Sequence, residues 1–154
     1  MQTTPHRSLT VVFRASIVGD DDPDEPTRGL ATAEFLKRTL TDAGWTSGEL
    51  DVRYGSWFFV ASRGETRLEI MLGAALDDIR YGLVAPEEDH GFFGGLKHSH
   101  ATPSDVLVVA RLLHAALVEP NFRHQRWAWD NEPNDTSPSE PPAIELATAR
   151  RSPP

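Results

Sequence analysis

Six candidate ligands crowd one glycine-rich stretch of the chain: Glu87, Glu88, Asp89, His90, His98 and His100. Neutral imidazoles and carboxylates suit zinc or another divalent cation. On an extended segment His98 and His100 point the same way, and a turn would bring His90 beside them. The architecture argues against a metal centre, because such ligands ordinarily sit on rigid elements with supporting partners. No HExxH-type spacing occurs either. A metal site at His90, His98 and His100, in a metal-binding protein or metal-dependent enzyme, is therefore the alternative reading, and ordinary surface histidines are the plainer one.

The other chemistry-bearing residues form weaker patterns. Residues 91–97 look like a phosphate loop, yet Lys97 follows leucine and no Ser or Thr comes next. What remains is a loop carrying Phe92 and Phe93, either an exposed apolar patch for a partner or a plug over the sheet's end. Asp20, Asp22 and Asp24 alternate as at the start of a calcium loop. The glycine and glutamate that an EF-hand needs at its sixth and twelfth positions are Glu25 and Ala31. With Asp21 and Glu25 they read as a solvated acidic run before a helix N-terminus. His114 sits on the flank of an apolar helical stripe with no partner visible for a general base. Ser56, Ser62 and Ser99 lack a GxSxG context. Arg123, His124, Arg126, Trp127 and Trp129 have the residue types of a single-strand nucleic-acid platform, but two tryptophans on one strand face more often belong to a core. The pattern names no catalytic residue and no cofactor.

Composition narrows the partners. The chain has 154 residues, a formal charge of −8, 39% hydrophobic and 25% charged residues, and no cysteine. The length fits one domain with a sizeable core, and the missing thiols exclude disulfides, thiolate metal sites and a cysteine nucleophile. Acidity disfavours nucleic acid and anionic membrane, both of which reward basic surfaces. No apolar run reaches transmembrane length, and residues 1–5 lack a signal peptide's apolar core, so a cytoplasmic protein is expected.

Periodicity supplies the elements that must hold these residues. Residues 8–18 alternate as a strand, with Leu9, Val11, Phe13, Ala15 and Ile17 on one face. Residues 27–43 carry Leu30, Ala33, Leu36, Leu40 and Ala43 on a helical stripe, with Gly44 and Trp45 suited to close its C-terminus. Leu50, Val52 and Tyr54 alternate before a phase shift at Gly55, which a bulge or a two-residue turn would explain equally well. Residues 57–85 then make three antiparallel passes, the first two joined by a hairpin at Gly64. Leu68, Ile70 and Leu72 form the apolar side of the second pass. Ile79, Tyr81, Leu83 and Ala85 form that of the third, against Arg80, Gly82 and Val84. Thr102, Pro103 and Asp105 have the spacing of a capping box with proline at the first helical position, opening a helix that is apolar nearly all round. Residues 122–129 read as a last strand.

The fold expected is α+β: a two-layer sandwich with a mostly antiparallel five- to six-stranded sheet and two helices on one face, in the order β-α-β-β-β-(β)-α-β. Residues 1–7 form a flexible start, 8–129 one domain, and 130–154 a disordered tail rich in proline, serine and acid. The function expected is that of a non-catalytic protein-interaction domain, with an immunity-type protein against a basic toxin as one version. Phe92, Phe93, Asp20, Asp21, Asp22, Asp24 and Glu25 are its candidate contacts. A homodimer through the sheet edges is a third reading.

Overall fold

A computed structural model describes residues 7–87 and 101–144 of the chain. Among the described residues, seven strands and two helices follow one another as β1 (Leu9–Ala15), α1 (Leu30–Asp42), β2 (Thr46–Ser47), β3 (Asp51–Arg53), β4 (Ser56–Arg63), β5 (Thr66–Ala74), β6 (Ile79–Pro86), α2 (Pro103–Ala116) and β7 (Phe122–Trp129). They form an α+β fold around one antiparallel sheet in the order β2-β4-β5-β6-β1-β7, with β3 pairing the edge of β4 beside β2.

Turn chemistry sets the register. Arg53 pairs Ser56 across Tyr54 and Gly55, which take φ of 53° and 76°. Two consecutive positive φ values are the mark of a type I′ turn, whose twist matches that of the strands it joins. The phase shift in the sequence is therefore a turn, not a bulge. Gly64 (φ 61°) makes the next hairpin, between Arg63 and Thr66.

Register also decides which face of each strand is buried. Directly opposed residues share a face, and one row runs Trp129–Leu9–Val84–Ile70–Phe59 across five strands. The next runs Trp127–Val11–Gly82–Leu72–Trp57. All the large side chains in these rows are buried. In β6 this overturns the sequence expectation. Its buried set is Arg80, Gly82 and Val84, while Ile79, Tyr81, Leu83 and Ala85 stay partly exposed. A lone strand's apolar count cannot choose its face once neighbours on both sides have fixed the pairing.

The helices share one core with that face. α1 touches β4 and β5, α2 touches β6 and β1, and the helices touch each other. Leu36 and Leu40 of α1 and Val106, Val109 and Leu113 of α2 pack among the buried strand residues. Phe35, off the α1 stripe, packs its ring 5.0 Å from that of Phe122. At the end of α1, Gly44 takes φ 97° and the Trp45 N–H donates to Leu40 O at 3.0 Å, closing the last turn. The capping box of α2 is formed: Thr102 Oγ1 accepts from the Asp105 N–H, and the Asp105 carboxylate accepts from the Thr102 N–H.

Residues 130–144 carry neither helix nor strand, yet they pack on the body. The Trp127 N–H donates to Pro138 O at 2.9 Å, Trp129 Nε1 donates to Pro142 O at 3.0 Å, and Ile144 lies against the core. Two tryptophans at the sheet's rim offer donors and apolar surface to a chain otherwise too polar to fold by itself.

Candidate functional site

The acidic run lies between β1 and α1, and a buried ion pair organises it. α1 starts at Gly29, which takes φ 93° and has no side chain to cap the helix. Asp20 does that work from further up the chain: Oδ1 accepts from the Thr32 N–H at 2.6 Å and Oδ2 from Thr32 Oγ1 at 2.8 Å. The same Oδ2 accepts from Arg80 Nε at 2.8 Å. Asp20 and Arg80 expose 2% and 0% of their side chains. A guanidinium on the apolar face of a sheet is tolerated only when its charge and donors are satisfied. Here Arg80 also donates to Asp21 Oδ1 at 2.9 Å, to Asp77 O at 2.8 Å and to Ile79 O at 3.1 Å.

A second arginine ties the outer layer. Arg28 Nε donates to Asp21 Oδ1 at 2.9 Å, Nη1 to Ala75 O at 3.2 Å, and Nη2 to Asp77 O. Residues 20–28 are thereby fastened to the β5–β6 turn. The hydrogen bond from Arg28, aided by the positive charges of Arg80 and Arg28, holds the Asp21 carboxyl below the usual carboxylate range against the opposing effect of desolvation.

The expected contact residues therefore divide. Asp20 faces the core, and Asp21, about half exposed at 55%, is engaged by two arginines. Asp22 and Asp24 point to solvent and Glu25 is half-buried. Asp22 Oδ1 accepts from the Asp24 N–H at 2.9 Å, the local bond by which aspartate fixes a turn. At the same end of the sheet, Val18 and Leu76 are 98% and 78% exposed. Sequence reasoning missed Arg28, Arg80, Thr32, Val18 and Leu76. An arginine in an alternating strand reads as outward-facing, so nothing local marked Arg80. Phe92, Phe93, His90, His98 and His100 lie outside the described residues. Among the described residues, no three His, Asp or Glu side chains cluster as a metal site would require.

A second feature is a groove of about 630 Å³ beside β7, bounded by the end of α2 and by Ser139 and Glu140. Gln125 is its fixed point. Gln125 Nε2 donates to Leu117 O at 2.7 Å and His114 O at 3.3 Å, satisfying carbonyls at the α2 C-terminus. Gln125 Oε1 accepts from Trp127 Nε1 at 3.0 Å and lies 2.9 Å from His114 Nδ1. Because the two carbonyls fix which end of the amide is nitrogen, Oε1 is an acceptor and His114 Nδ1 carries the proton.

No protein-family model matches this chain, and no curated protein or solved structure matches it either.

Proposed function

We propose that the chain is a small protein-binding domain, without catalytic chemistry of its own, that engages a basic partner through its acidic end. The reading is carried by one observation. The Asp20–Arg80 pair fixes an irregular loop from within, while Asp22 and Asp24, with Val18 and Leu76 nearby, stand out in solvent. A display held in place before binding loses less conformational entropy on association. Exposed carboxylates speed encounter with a cationic surface, and exposed apolar side chains supply area to bury. The overall charge of −8 acts in the same direction. A toxin-neutralising protein is one version of this function.

The test is affinity capture from the native source with the wild-type domain and with D22K/D24K/E25K, a variant that leaves Asp20 and Asp21 in place. A basic protein should be captured by the wild type, should be lost from the variant, and should dissociate more readily as salt rises from 50 to 500 mM. Capture that is indifferent to both charge reversal and salt overturns the proposal.

A further inference from the structure

The groove beside β7 carries an inference independent of the acidic end. Among the described residues, the arginines that are buried or half-buried are Arg28, Arg80 and Arg126. The first two are engaged by carboxylates and backbone carbonyls. Among the described residues Arg126 makes one long bond, from Nη1 to Gln125 O at 3.4 Å, and no ion pair. Most of its donors thus face no described protein partner, and the side chain lines the groove with His114 and with Arg123, whose Nη2 lies 3.7 Å from Asp78 Oδ2.

The backbone shows a second irregularity at the same place. Val12 pairs Arg126 while Arg14 pairs Arg123, so β7 carries one residue more than β1 between these pairs. His124 within that bulge takes φ 59°. Bulges re-aim side chains, and a non-glycine residue at positive φ is strained, which the surroundings must offset. The consequence here is that residues from both faces of one strand, Gln125 and Arg126, line a single groove.

We propose that this groove binds a small ligand bearing an oxyanion, phosphate or carboxylate, with Arg126 as its principal contact and Arg123 and His114 beside it. The planar guanidinium fork matches two oxygens of either group. Glu119 and Glu140 also line the groove; both are exposed and weaken anion binding by repulsion. Removing the charge of either tightens it.

The experiment is an NMR titration of the full chain with sodium phosphate and, separately, sodium acetate, each against sodium chloride at constant ionic strength. The Arg126 Nε–H and the His114 ring are followed. A saturable shift at both is expected with at least one anion, and the tighter of the two arms identifies the oxyanion. R126Q should abolish the shift, R126K should weaken binding severalfold by losing the fork, and E140Q should strengthen it. Undisturbed amide dispersion in R126Q shows that the variant is folded. Shifts that do not saturate, that are equally large at the exposed Arg38 and Arg53, or that persist in R126Q overturn the proposal.

Discussion

Arg80 Nε donates to Asp20 Oδ2 at 2.8 Å across 60 positions of sequence, with both side chains almost wholly removed from solvent. The contact joins the β1–α1 loop to the centre of the sheet. Because Asp20 also caps α1, one carboxylate positions a loop, a helix start and a strand.

Removing that charge should therefore be expensive. Asp20→Asn keeps the shape but leaves Arg80 facing Asp21 alone. Taking one partner from a buried pair typically costs about 3–5 kcal/mol, and the remaining Asp21 contact places the expected loss near the lower end. Urea unfolding measures it. A loss below about 1 kcal/mol would mean that the pair does not hold the loop.

Acid should loosen the same region. Asp21 has a folded-state pKa depressed first by its hydrogen bond from Arg28, then by the nearby positive charges. A depressed carboxyl binds fewer protons in the folded state than in the unfolded one, so its contribution is present above the unfolded value of roughly 4 and is lost as pH falls through the folded value. Stability measured from pH 6 down to pH 2 should fall below about pH 4. Asp21→Asn should flatten part of that slope, and an unchanged slope would refute the assignment.

Gly82 should resist substitution. A Cβ there would sit 2.9 Å from Val11 Cγ1 in the buried row that opposes Val11, Gly82 and Leu72. Overpacking of this kind costs about 1–3 kcal/mol. Gly82→Ala should destabilise by that amount in thermal melts, and adding Val11→Ala should recover part of the loss. Additive losses would show that the two positions do not compete for space.

The α2 cap makes a smaller prediction. Thr102→Ala removes the hydroxyl that accepts from the Asp105 N–H and should cost about 1 kcal/mol. Thr102→Ser keeps the hydroxyl and should retain most of the stability. Equal losses in the two variants would mean that the hydroxyl is not what matters.

How far the sequence was legible depends on whether each signal is local. The α2 capping box, the end of α1 at Gly44, the alternation of β1 and β5 and the inward tryptophans of β7 all arise from spacings of a few residues, and each can be read without the fold. The inward face of β6 cannot. Ile79, Tyr81, Leu83 and Ala85 look like a buried row, and only pairing to β1 and β5 turns Arg80, Gly82 and Val84 inward instead. The acidic run was visible as charge, but its division into a buried member, an arginine-bound member and outward members depends on arginines 7 and 59–60 positions away. His114 was legible as a flank residue needing a partner. That the partner is Gln125 follows from the path of the chain after α2, which no periodicity records.

The sheet's two rims are both guarded. On one side β2 and β3 share the length of β4, so no long straight border is presented there. On the other, Pro138 takes the Trp127 N–H, and the bulge at His124 interrupts the strand below it. Short, kinked or occupied borders offer poor templates for another backbone. The same irregularities that shape the β7 groove should therefore keep concentrated solutions of this protein from stacking into fibres.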